Sequence, residues 1–432
     1  MKKYIIILLT ILLTYGLQGQ TKRAQYFDDL IESHDIPGLS IVLIEDGKVV
    51  YNSGHGVRAH DTKVPVDPQT IFSAASLSKP VFAYAVMKLV ESGEFDLDRP
   101  LYQYLEFEDL AYDERYKRIT ARMVLSHSSG LPNWRNGKLA LQFDPGKRYS
   151  YSGEGFVYLG KVIAHLQQKE IGQVIEELVF RPLEMTNSSF SWEDRFETNF
   201  APPHDFMGYP IPKRKRRRSN VAASLQTTAE DYAKLILALL HDVERKQPIT
   251  KEMLSAQVAV PAWDNLHWGL GWGIQKTKKG KAIWQWGDNG TYKAFTITNL
   301  TTKKGIVFLT NSENGLRIVP EVIQHEWDEE CPAFDMIDYS TKDKPYQALL
   351  RAIIKSGYDD AIIAYLDKSQ IHHDTTLISQ RQMGRIGYRL LREGRFEDAK
   401  KAYRSNVAAY PSYNSYLQYA DCHLKSGDFD EA

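Results

Sequence analysis

Apolar and polar positions change period several times along the chain. In SIVLIEDGKVVYNSG two β-rich runs flank Asp46-Gly47, a dipeptide suited to a two-residue hairpin turn. Upstream, AQYFDDLIESHDI has the spacing of a short helix. Helical patterns fill the middle: SKPVFAYAVMKLVESG, ITARMVLSH and GEGFVYLGKVIAHLQQK. A further one runs from Thr227, where Glu230 completes a capping box before DYAKLILALL. From Trp268 to Thr310 strand patterns return as WGLGWGIQ, AIWQWG, KAFTITN and GIVFLTN. Strands at both ends with helices between them predict an α+β domain over residues 20–335, its first and last strands sharing one antiparallel sheet flanked by helices.

Beyond about residue 340 the pattern becomes Ala, Tyr, Arg and Asp at helical spacing. Gly394, Phe396 and Ala399 recur as Gly427, Phe429 and Ala432, with Pro411 closing the first unit and a weaker echo, KSGYDDAIIAY, from Lys355. Residues 340–432 thus resemble tetratricopeptide repeats, which place small residues where paired helices cross and aromatics in the seam. The chain stops where the second repeat's return helix should begin. Such a segment implies a protein partner.

Composition narrows the function classes. Lys and Arg number 54, as do Asp and Glu, so no basic surplus exists for nucleic acid. The two cysteines, Cys331 and Cys422, are too far apart for metal spacing and read as free core thiols, the alternative being one long-range disulfide in an oxidising compartment. Lys2 and Lys3 precede an apolar stretch from Tyr4 to Leu17, the layout of an export signal over residues 1–19. That stretch is shorter than the roughly 20 residues a spanning helix needs, so removal after export to the periplasm or medium is expected, with no lasting membrane span. The basic run from Lys213 to Arg218 reads as a solvated loop, or as a contact with anionic envelope polymer or lipid.

Ser76-Leu77-Ser78-Lys79 is the sole Ser-x-x-Lys tetrad, set where a Ser/Ala-rich segment turns into an apolar helix. With a helix starting at Ser76, residues three apart share a face and the Lys79 amine lies beside the Ser76 hydroxyl. A neutral lysine can take the hydroxyl proton, and a helix N-terminus favours negative charge on a tetrahedral intermediate. An ordinary capped helix start would look the same.

Downstream come SHSSGLPNW, DPGKRYSYSGEGFVYLG and WQWGDNGTYKAF. With these and PGLSIVLIEDGKVVY, LQTTAEDYAKL and WGLGWG, the chain from about Pro37 to Asn311 resembles the serine β-lactamase-related family of class C β-lactamases, D-Ala-D-Ala carboxypeptidases and esterases. The resemblance implies Ser76 as acylated nucleophile and Lys79 as its partner. It implies Tyr151 as the catalytic tyrosine, five residues after Gly146, with Tyr149 as rival. A phenol in that place can ionise or shuttle a proton beside a cation. The last strand should supply half of an oxyanion hole through the Asp288 N–H, with Gly287 allowing close approach and the Ser76 N–H as the other half.

Two residues depart from the family pattern. Its Tyr-x-Asn is here Tyr151-Ser152-Gly153, and its Lys or His in the last motif is Gln285. Both changes remove groups that would read an acyl-amino-acid or β-lactam, so weak β-lactam turnover is expected. Lys293 and Arg317 are candidates to replace the lost cation. His127 is expected to fix a loop by hydrogen bonds and not to act as a base. No metal or cofactor is called for; the substrate is a small molecule or peptide. The expectation is a serine hydrolase, the alternative a scaffold whose helical repeats bind a partner beside a weakened hydrolase domain.

Overall fold

The computed structural model describes residues 19–430 apart from 214, 328, 338, 340–342 and 372–377, and for 367–371 the backbone alone. The export signal therefore lies outside the described residues except for its last position, as does Ala432 of the repeat. The chain divides into two compact units, Met1–Tyr339 and Ser340–Ala432.

The first unit has an α+β fold. Ten strands occur among the described residues: β1 Gly38–Glu45, β2 Lys48–Gly56, β3 Phe72–Ala75, β4 Leu225–Thr227, β5 Val258–Ala259, β6 Leu266–Trp268, β7 Gly273–Thr277, β8 Gly280–Asp288, β9 Lys293–Asn299 and β10 Gly305–Thr310. Eight form one antiparallel sheet in the order β2-β1-β10-β9-β8-β7-β6-β5, so the first and last strands are neighbours as expected. Strands β3 and β4 pair separately. The β1–β2 turn has Asp46 at φ 49° and Gly47 at φ 72°, the two left-handed residues that a twisted hairpin favours.

Helices cover both faces of the sheet, which explains why its central strands read as unbroken apolar runs. Val42 and Ile44 of β1, with Val307 and Leu309 of β10, pack with Phe82 and Val86 of helix Ser78–Glu91 and Tyr232 and Ile236 of helix Ala229–Glu244. The alternate residues Leu39, Ile41, Leu43, Ile306 and Phe308 pack with Phe27 and Leu30 of helix 19–33 and Val322 of helix Val319–Glu326. Each side chain of this kind contributes about 1.5–3 kcal/mol by leaving water.

Three local expectations shift. WGLGWGIQ is not one strand: Gly271 adopts φ 86°, and the chain leaves the sheet so that a Cβ there would stand 2.3 Å from the Ala83 Cβ. The capping residue before Ala229 is Thr228, which accepts from the Asp231 N–H at 3.0 Å. Thr227 is already committed to β4 opposite Phe72, and Glu230 instead accepts from Gln69 at 2.6 Å. In the basic run, Lys213 sits 3.1 Å from the Trp192 ring centre and Arg217 pairs with Asp194 at 3.1 Å, while Arg216 and Arg218 stay exposed.

The second unit is all helical among its described residues, with helices Pro345–Ser356, Tyr358–Ile371, Gln380–Arg392, Phe396–Ala409 and Tyr413–Ser426. Gly357, Gly394 and Gly427 take positive φ at the helix ends. Gly387 is the close-crossing residue, since a Cβ on it would lie 2.7 Å from the Tyr403 ring. Tyr346, Tyr358 and Tyr403 are buried; Phe396 and Phe429, which the repeat pattern assigned to the seam, are exposed. Cys331 and Cys422 are free.

Candidate active site

Strand β3 delivers the chain to Ser76. Its pairing with β4 slips register between Ser73 and Ala75, and Ala75 takes φ 50°, a left-handed conformation that costs a non-glycine residue about 1–2 kcal/mol. Ser76 and Leu77 form a turn and the helix begins at Ser78, where the SKPV pattern starts and two residues after the start used for the tetrad, so Pro80 still falls in the tolerant first turn. The Ser78 hydroxyl donates to the Ala75 carbonyl at 2.6 Å and accepts from the Leu225 N–H at 2.9 Å, clamping the turn to β4. Leu77 is fully buried. The tetrad therefore divides its labour, with two residues holding the turn and two facing the site.

Lys79 is completely buried. Its Nζ donates to Ser76 Oγ at 3.0 Å and to the Ala222 carbonyl at 2.8 Å, and lies 4.7 Å from the Tyr151 ring centre. Among the described residues no carboxylate pairs with it, and burial pushes its pKa down to about 7. A large neutral fraction at that value can accept a hydroxyl proton.

The Tyr151 hydroxyl accepts from Gln285 Nε2 at 2.9 Å and has the Ser76 side chain as a neighbour. Burial raises its pKa above the ordinary 10, against the smaller opposing pull of those two side chains. Of the alternatives left open by the sequence, burial favours a neutral lysine and a phenol that keeps its proton. The rival Tyr149 packs against Trp268 and His127, and its buried hydroxyl has no partner among the described residues.

The end of β8 runs against the nucleophile turn. A Cβ on Gly287 would meet the Ala74 carbonyl at 2.4 Å and the Ala75 Cβ at 3.2 Å, so only glycine permits this approach. Asn289, which sequence reasoning passed over, ties the hairpin tip to the Ser73 hydroxyl at 3.2 Å and the Ala223 carbonyl at 2.9 Å. The Asp288 carboxylate accepts from Lys293, Tyr339 and the Gly290 N–H. Lys293, a candidate for the lost cation, is thus engaged with Asp288 and 4% exposed. Arg317 lies in the turn before helix Val319–Glu326.

Gln285 and Gly153 behave differently from the substrate-reading roles expected of their positions. Gln285 is fully buried and its Nε2 reaches both Tyr151 Oη and, at 3.2 Å, the Ser76 carbonyl. Gly153 has no room for a side chain, because a Cβ would meet the Asn133 carbonyl at 2.6 Å and the Trp134 ring at 2.9 Å. That loop is pinned by the Gly153 N–H on the Asn133 carbonyl and by Arg135 on Glu154 at 2.9 Å. His127 accepts from the Ser152 N–H at 2.9 Å through Nδ1, which holds the Tyr151 segment, and burial drives its pKa well below the ordinary range. The Ala222 carbonyl, as a backbone group, left no trace in the sequence pattern.

Residues 23–327 match the family described as Beta-lactamase. The chain is 25% identical over 336 residues to "Protein flp" of Staphylococcus aureus, covering 70% of this chain and 65% of that one, so it spans about two thirds of that relative's length. Its fold is similar to that of the octameric penicillin-binding protein homologue from Pyrococcus abyssi, with a TM-score of 0.61 and 23% identity over 78% of this chain and 82% of that one. It is also similar to the D-alanine carboxypeptidase AmpC from Burkholderia cenocepacia, with a TM-score of 0.61 and 19% identity over 71% of this chain and 99% of that one.

Proposed function

The chain belongs to the Beta-lactamase family of serine hydrolases, and on that premise we propose that it is an exported hydrolase cleaving an ester or amide through an acyl-enzyme on Ser76. The Lys79 Nζ bond to Ser76 Oγ, with the Tyr151 hydroxyl tied to the Ser76 turn through Gln285, carries this reading. Ser76 Oγ bonds to the substrate carbonyl carbon while its proton passes to neutral Lys79. The carbonyl oxygen becomes an anion, which the N–H groups of Ser76 and Asp288 stabilise. The bond to the leaving atom then breaks, Tyr151 protonates that atom, and the Lys79 ammonium restores the phenol. Water cleaves the acyl ester by the same proton transfers in reverse and frees Ser76.

Hydrolases of this family act on small molecules or peptides. The inward turn of Gln285 and the filled space at Gly153 support uncharged esters over β-lactams and D-amino-acid peptides as substrates. Among the described residues no helix is long and apolar enough to cross a membrane.

Exposed Tyr413, Tyr416 and Leu417 on helix Tyr413–Ser426 favour a second reading, in which the helical unit, as a tetratricopeptide-like array, also recruits a protein partner. Neither Gly153 nor Gln285 disturbs the contacts of Ser76, so the hydrolase reading leads.

A fluorophosphonate or penicillin probe followed by mass spectrometry should give an adduct on Ser76 that Ser76→Ala abolishes. An unlabelled Ser76 rejects the reading. A screen over short-chain esters, D-amino-acid peptides and a chromogenic cephalosporin then ranks the substrates, with esters first.

A further inference from the structure

Hydrogen-bond accounting around Gln285 fixes where one proton points. A backbone carbonyl only accepts, so the amide atom 3.2 Å from the Ser76 carbonyl must be nitrogen. The same nitrogen lies 2.9 Å from Tyr151 Oη, which must therefore accept as well. Among the described residues the Gln285 Oε1 is buried without a partner. A phenol has a single hydrogen. With Gln285 donating to the oxygen, that hydrogen points away from Gln285 and is available to the neighbouring Ser76 side chain.

We infer that Gln285 is a positioning residue: anchored on the Ser76 carbonyl, it holds the Tyr151 oxygen as an acceptor and so turns the phenol hydrogen away from itself, toward Ser76 Oγ and the leaving atom of a bound substrate. This inference rests on the Ser76 acyl-enzyme reading and deepens it. When the bond from the carbonyl carbon to the leaving atom breaks, that atom takes the Tyr151 hydrogen, and the proton that Lys79 took from Ser76 returns to the phenolate. A glutamine here serves proton direction inside the site and does not contact the substrate.

Leaving groups differ in their need for that proton, and this gives the test. An alkoxide needs it; p-nitrophenolate leaves without it. The full chain and its Gln285→Met variant are compared by kcat/KM on ethyl butyrate and p-nitrophenyl butyrate. Loss of the donor should lower the ethyl ester value about 100-fold and the p-nitrophenyl value by less than about threefold, within the span of a positioned general acid. Gln285→Lys, which keeps a donor, should restore the ethyl ester rate. Gln285→Glu, whose carboxylate attracts the Tyr151 hydrogen, should repeat the split and serves if the methionine variant fails to fold. Equal losses on both esters, or none on either, overturn the inference. Fluorophosphonate labelling of the wild type separates the two levels: a labelled Ser76 without the split rejects this inference alone, and an unlabelled Ser76 rejects the reading beneath it as well.

Discussion

Lys79 is an amine buried against two aromatic rings and one carbonyl, and its depressed pKa of about 7 fixes two signs. Only the neutral amine accepts the Ser76 proton, so kcat/KM should fall about tenfold per pH unit below roughly 7. A pH–rate profile flat down to pH 5 would contradict this. Stability follows the opposite bookkeeping of protons. Between pH 7 and 10.5 the unfolded lysine holds a proton that the folded one lacks, so folding stability contributed by this group rises with pH across that window and is lowest below it. Lys79→Met should accordingly abolish turnover and raise the melting temperature by about 2 °C, as for a gain of about 1 kcal/mol; a lower melting temperature would show that the amine's bond to Ala222 outweighs its burial. Ser76, Lys79 and Tyr151 were legible because each is a side chain at a fixed distance from a recognisable neighbour. The orientation of Gln285 was not, since its two partners lie 134 and 209 residues away in the chain.

At the scale of elements, the site is made by strand β3 ending in a strained turn while β8 presses against it. Gly287→Ala should therefore separate the two, lowering kcat/KM by about 10–100-fold and stability by about 1–3 kcal/mol, read by ester kinetics and denaturant melts. A variant with unchanged kinetics would remove the backbone of β8 from the chemistry. Local signals predicted the hairpin at Asp46-Gly47 because its turn is decided by two residues. The SKPV pattern marks the observed helix start at Ser78, whereas the cap expected at Thr227 falls on Thr228, since the pairing of β4 with β3 claims Thr227. WGLGWG reads as a strand by composition, yet its Gly271 serves a close approach to helix Ser78–Glu91 that only the folded packing defines.

The whole molecule has two units with separate cores. Calorimetry should resolve two transitions: Phe308→Ala, removing a fully buried ring, lowers that of the hydrolase unit by about 3–5 kcal/mol of stability, while Gly387→Leu, which collides with Tyr403, shifts only the helical one. A single transition shifted by both variants would show that the units melt together. The change from alternating strands to paired helices near residue 340 was legible in the sequence, and so was the neighbouring of first and last strands. That neighbouring has a consequence for the newborn polypeptide. Strand β1 cannot find β10 until about 260 more residues have been added, a wait on the order of ten seconds or more at synthesis rates of about 5–20 residues per second. Throughout that interval the nascent chain lacks the partner that closes its sheet.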